Sequence, residues 1–152
     1  MSKSAKSNLR LLCKNQEGLK VISTFTQDSI VAVKDIVFLK QNRIFIMIIN
    51  RFMWENVENV EKGDLRHNKR IRCAIKFEEI FKIKSKNINQ KRTSKILECL
   101  AINSNLNINE IYETKIFFSG GSVITLFAEA IDVVMHDLGK PWNVKHIPRH
   151  EI

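Results

Sequence analysis

The stretch from Arg70 to Lys86, RIRCAIKFEEIFKIKSK, decides the fold. Ile71, Cys73, Ile75, Phe77, Phe81 and Ile83 fall on one side of a two-residue period, interrupted only by Glu79. Arg70, Arg72, Lys76, Lys82, Lys84 and Lys86 fall on the other side. Successive side chains of a β-strand point to opposite faces, so the pattern predicts strand with an apolar face on a core and a cationic face in water. The lapse around Glu78 and Glu79 predicts a bulge or corner that folds the cationic row into two shorter ones.

Upstream, Val31 to Phe52 is dominated by β-branched and aromatic residues, and Lys40-Gln41-Asn42-Arg43 divides IVFL from IFIMII, as in a β-hairpin. Ile44 to Ile49 is apolar at every position, which predicts a strand covered on both faces at the centre of the core. Residues 55–69 lose periodicity and collect charges, Asn and Gly, the composition of a loop. Nearer the beginning, Asn8 to Lys14 reads as a short strand. Asn15 is then placed to cap a helix over Gln16 to Ser29, with Leu19, Ile22, Phe25 and Ile30 on its apolar side. Residues 1–7 read as a polar, disordered lead.

Downstream, residues 86–95 form a polar basic loop, Ile96 to Ile102 a strand, and Asn103 to Glu110 a polar connection. Tyr112 to Ser119 and Ser122 to Ala128 are strands on either side of Gly120-Gly121. A phosphate cradle needs glycines that lead into a helix N-terminus, and neither GK[ST] nor GxGxxG is present, so the pair predicts a tight turn with positive φ. Ile131, Val134, Met135 and Leu138 stand at i, i+3, i+4 and i+7, the spacing of a short helix that Gly139 would cap and Pro141 would follow. Residues 142–152 read as an irregular tail. The order strand, helix, about six antiparallel strands, helix predicts a single α+β domain over residues 8–152. Its antiparallel sheet is either helix-grip-like or a small barrel closed by the C-terminal helix.

The 152 residues are 44% hydrophobic and 27% charged, ordinary values for a globular chain. Lys and Arg number 25 against 16 Asp and Glu, and the net charge of +9 favours polyanionic partners. Abundant Ile, Lys and Asn with few Gly and Pro also give the lysine a compositional origin. Cys13, Cys73 and Cys99 lack CxxC spacing and read as packed thiols in a reducing compartment. MSKSAKSNLRLLCK has cations but no apolar run of signal-peptide length, and the apolar run Ile44 to Ile49 is far short of the roughly 20 residues of a spanning helix. A cytoplasmic protein without membrane insertion is the expectation.

No catalytic constellation stands out. There is no GxSxG elbow, and neither Cys73 nor Cys99 has a sequence cue for an activating base. His146 and His150 have i, i+4 spacing, but Pro148 between them forbids an undisturbed helix, and no further ligands complete a metal site. His136-Asp137 has the form of the metal-binding pair of HD-type phosphohydrolases without the other motifs those enzymes need, and reads as a solvated helix face. No metal or cofactor is called for. The cationic row of Arg70, Arg72, Lys76, Lys82, Lys84 and Lys86, extended by Lys91, Arg92 and Lys95, is the candidate site for nucleic acid or an acidic protein partner, with no aromatic platform interleaved.

Thr26-Gln27-Asp28-Ser29 and Asn50-Arg51-Phe52-Met53-Trp54-Glu55, with Phe77 to Ser85, Phe118 to Gly121, Asp137-Leu138-Gly139, Pro141-Trp142 and Pro148 to Glu151, carry a resemblance. From Leu11 onward the chain resembles a bacterial family, from alpha-class proteobacteria, known as domain of unknown function 2948. That resemblance implies a domain definition and no activity. It directs attention to a polar cluster of Gln27, Asp28, Arg51, Trp54 and Glu55. The cluster is either a structural ion pair of Arg51 with Glu55 or Asp28, with Trp54 packed beside it, or the site of a small enzyme near Asp28, Arg51 and Trp54.

Overall fold

A computed structural model of the protein describes residues 9–57 and 67–148. The lead at 1–7, the middle of the loop expected at 55–69, and His150 lie outside these residues. The order is β1 (Arg10–Cys13), α1 (Gln16–Thr26), β2 (Ile30–Ala32), β3 (Ile36–Leu39), β4 (Ile44–Phe52) and β5 (Lys69–Phe77). There follow β6 (Ile80–Lys86), β7 (Ile96–Leu106), β8 (Tyr112–Phe118), β9 (Val123–Ala128) and β10 (Val133–Asn143).

All the strand pairings are antiparallel. The strands run β1-β10-β5-β4-β2-β7-β8-β9-β6 across one sheet, with β3 beside β4, and the sheet does not close. Its inward side chains, from Cys13 on β1 to Ile80 on β6, form one core with Leu19 and Ile22 of α1. Phe45 and Phe77 stand opposite each other in the β4–β5 register and meet edge to face at 5.9 Å. That arrangement suits the ring quadrupoles.

Asn15 caps α1 as expected, its side-chain oxygen accepting the Gly18 N–H at 2.7 Å. The helix stops at Thr26, short of Ser29, because Asp28 turns into the left-handed region at φ 62° and donates its N–H to the Cys99 carbonyl at 2.7 Å. That bond starts the path into β2. Ser23 Oγ accepts the Ile102 N–H at 2.9 Å and ties the helix to β7 where its register with β8 shifts. The corner after Phe77 is real: Glu79 has φ 62°, and β5 and β6 run on from each other yet pair with different neighbours.

Three expectations need correction. The segment expected as a C-terminal helix is β10, so among the described residues no C-terminal helix closes the sheet. Val133, Met135 and Asp137 point inward and Val134, His136 and Leu138 outward. A carboxylate at an inward position hid the two-residue period, and Gly139, at φ 73°, lies in the irregularity between Leu138 and Trp142 instead of capping a helix. The first half of the polar connection after Ile102, through Leu106, is β7, since inward Ser104 accepts a hydrogen bond from the Thr114 hydroxyl at 3.0 Å. Finally, β4 is covered on one face only: Phe45, Met47 and Ile49 are buried, whereas Ile44, Ile46 and Ile48 are half-buried on the outside.

Gly120 and Gly121 turn the chain from β8 to β9 with φ of 75° and 77°. The turn is closed by the Phe118 N–H on the Ser122 carbonyl at 2.8 Å. No helix among the described residues is long and apolar enough to cross a membrane.

Candidate functional site

Arg51 is the inward residue at the end of β4, and its side chain is fully buried. A guanidinium there needs partners for its N–H fork. Asp137, inward on β10, accepts from Nε at 2.8 Å and from Nη2 at 2.7 Å. The turn over Trp54–Asn56 brings Glu55 back, and its two oxygens accept from Nη1 at 3.0 Å and Nη2 at 2.8 Å. Phe25 of α1 faces the guanidinium carbon at 5.6 Å. Burial alone would pull the Arg51 guanidinium down, but the hydrogen bonds and charges of Asp137 and Glu55 outweigh it and hold it above its ordinary value.

The rest of the expected cluster assembles around this clamp through backbone groups. Trp54 donates its indole N–H to the Gln27 carbonyl at 3.0 Å and packs on Phe52 at 4.6 Å between centroids. Asp28 is buried, and its carbonyl accepts from Arg70 Nη1 at 3.2 Å. Sequence reasoning, led by the stretches that carry the resemblance, set Arg51 against Glu55 or Asp28; the structure pairs it with Glu55 and adds Asp137, which a helical reading placed in solvent.

The six cations expected on one stripe divide. Arg70 is half-buried, donating to the Asp28 carbonyl and to the Asn50 carbonyl at 3.0 Å, with its guanidinium 5.8 Å from the Phe52 ring centroid. Arg72 is exposed on β5, and Lys76 lies 3.8 Å from Glu78. Lys82, Lys84 and Lys86 are exposed on β6, at the far end of the strand order. There the register creates a face that the sequence did not display. Lys82 stands opposite Phe127, Lys84 opposite Thr125, and Lys86 opposite Val123. Across β9, Thr125 faces Lys115 and Val123 faces Phe117 on β8. Lys82 and Lys84 both lie within 6 Å of the Phe127 centroid, at 5.5 and 5.6 Å. Lys84, Lys86, Lys115 and Phe117 line a depression of about 360 Å³. The aromatic residues absent from the linear reading are therefore supplied by neighbouring strands.

A family model described as "Protein of unknown function (DUF2948)" matches residues 9–150. The chain belongs to the DUF2948 family. No curated protein and no solved structure matches it. In this DUF2948 chain, three of the stretches that carry the resemblance, 26–29, 50–55 and 137–139, meet at the Arg51 clamp.

The three cysteines of the DUF2948 protein are free and buried. Burial pushes the Cys99 thiol up to about 12. Burial, reinforced by Asp137, also raises Cys73, and burial raises Cys13. Such thiols are poor nucleophiles. His136 and His146 are exposed, and no group of three or more metal-ligating side chains occurs among the described residues.

Proposed function

We propose that this DUF2948 protein is a binding module whose β6–β9–β8 face takes a single-stranded nucleic acid. The observation that carries the reading is the depression formed by Lys84, Lys86 and Lys115 around Phe117. Lysine ammonium groups displace the counterions condensed on phosphates, and an aromatic ring among them offers a base a surface to stack on. The one carboxylate in these rows, Glu113 opposite Phe127, accepts from Asn107 Nδ2 at 3.3 Å. A net charge of +9 steers polyanions toward the whole chain. Three free thiols suit a cytoplasmic setting, and the common core suits a single domain.

The alternative of a small enzyme near Asp28, Arg51 and Trp54 has less support. The Arg51 guanidinium is committed to Asp137 and Glu55, and the Trp54 N–H to a carbonyl. These bonds hold a loop and two strands together.

The test is fluorescence anisotropy with a labelled oligouridine of about 15 nucleotides, within the span a small β-module covers. If Lys82, Lys84, Lys86 and Lys115 each displace a counterion, affinity falls about 50-fold between roughly 50 and 200 mM salt. Lys84→Glu, Lys86→Glu and Lys115→Glu together abolish binding, and Phe117→Ala weakens it with little change in salt slope. No binding at the lower salt sinks the proposal, as does binding indifferent to the three reversals. Equal affinity for polyglutamate transfers the face to an acidic protein partner.

A further inference from the structure

The sheet is left open between β3 and β6. Among the described residues β3 pairs with β4 alone and β6 with β9 alone. The opening is pinned at one end by the Ile80 N–H on the Arg43 carbonyl at 2.9 Å. At the other end the loop after β6 is strapped to the turn after β2, with the Val33 N–H on the Lys95 carbonyl at 2.9 Å and the Lys34 N–H on the Thr93 carbonyl at 3.0 Å. Between the pins lies a cavity of about 460 Å³, within the range of small-molecule pockets.

Its chemistry is asymmetric. Phe45 and Ile124 belong to the buried core, and Phe38 and Ile83 rise from them as partly buried walls, so the interior is apolar down to the floor. The polar lining includes Gln90, Thr93 and Lys34, and no Asp or Glu lines the cavity among the described residues. An apolar slot with one cation fits a molecule with an apolar tail and one negative charge.

We infer that this cavity binds an aliphatic carboxylate, its chain lying against Phe38, Phe45, Ile83 and Ile124 and its head group meeting Lys34. Ser85 lines both this cavity and the lysine depression, which otherwise share no lining residue, and neither reading depends on the other. Chain burial sets the affinity, so each added methylene tightens binding by up to about fourfold until the chain outgrows the cavity. The cation sets the preference for an anion over a neutral or cationic head group.

The experiment uses the full chain and an environment-sensitive naphthalene sulfonate dye, displaced by octanoate, decanoate and dodecanoate below their micelle concentrations, with dodecanol and dodecyltrimethylammonium as comparators. Expected are one dodecanoate per chain, affinity rising with chain length, and little displacement by the cationic amphiphile. Exposed Lys34→Glu weakens dodecanoate about tenfold or more while sparing dodecanol, and Ser85→Phe, which fills the slot from its wall, weakens both. Lys115→Glu, on the other face, changes neither. Failure of dodecanoate to displace the dye or bind by calorimetry, with native circular dichroism intact, overturns the inference. So do several equivalent sites per chain, indifference to head-group charge, or an unchanged affinity in Lys34→Glu.

Discussion

The Arg51 guanidinium and the Asp137 carboxylate, 86 residues apart, meet through two parallel hydrogen bonds of 2.8 and 2.7 Å with both side chains fully buried. β4 and β10 are not hydrogen-bonded neighbours, because β5 runs between them. The pair therefore spans β5 on the inner side of the sheet, and Glu55 extends it toward solvent. Charges removed from water repel the fold unless their geometry is good and their lone pairs are filled. Here four guanidinium–carboxylate hydrogen bonds meet that condition.

Removing one partner leaves the other charged and buried. Arg51→Met and Asp137→Leu are each expected to cost about 3–5 kcal/mol in urea melts, whereas Glu55→Gln, at the half-exposed end, costs about 1 kcal/mol. The double replacement Arg51→Met with Asp137→Leu restores stability to within about 1 kcal/mol of the parent, or above it. Additive losses in the double variant would show that the pair is not a unit.

The thiols give a pH prediction. The Cys99 value rises from an ordinary 9.0 to about 12 on folding because burial disfavours the thiolate. A group whose value is raised in the folded state contributes stability that is complete below pH 9.0 and is lost as pH climbs toward 12. Stability should therefore fall with alkali across that window, with a shallower slope in Cys99→Ala. At pH near 8 an aromatic disulfide reagent should label none of the three cysteines rapidly in the native protein and all three in urea.

The parts of the fold that follow a local rule were legible: the alternation in β5, the Asn15 cap, the Lys40–Arg43 hairpin and the Gly120-Gly121 turn. β10 was not, because its period is carried by Asp137, a residue whose burial makes sense only beside Arg51. The extension of β7 was hidden for the same reason, Ser104 being tolerable inside only because Thr114 donates to it. At the candidate sites, the stretches that carry the resemblance singled out Arg51 and left its partner open between Glu55 and Asp28. The grouping of Lys115 and Phe117 with Lys84 and Lys86 depends on the β8–β9–β6 register, which no single segment encodes.

The two glycines of the β8–β9 turn differ from most positions in that an added Cβ finds space but the backbone is unsuitable. Nothing lies within 4 Å of a Cβ at Gly120, and at Gly121 the nearest neighbour is Asn87 Nδ2 at an ordinary 3.6 Å. Their φ values of 75° and 77° cost a side-chain-bearing residue about 1–2 kcal/mol, partly offset by the stiffer unfolded chain. Gly120→Ala and Gly121→Ala should each lower stability by about 1 kcal/mol without altering the denaturant slope, and Gly120→Asn by less. A neutral alanine at both positions would mean that the turn does not hold this conformation.

Arg70 and Arg72 share one strand face in the sequence pattern and have different roles in the structure. Arg72 is exposed, and Arg72→Glu should change stability by no more than about 0.5 kcal/mol. Arg70 is half-buried; burial lowers its pKa while the charges of Asp28 and Glu98 act to raise it, and its Nη1 serves the carbonyls of Asp28 and Asn50. Glutamate at that position strips both carbonyls of a donor and sets a third carboxylate near Asp28 and Glu98, so Arg70→Glu should cost about 2 kcal/mol or more. Arg70→Lys, which keeps the charge but loses the planar fork, should fall between them. The urea midpoints of the three variants decide the matter: equal losses for the two reversals would return Arg70 to the solvent-facing row that its alternation in the sequence suggests.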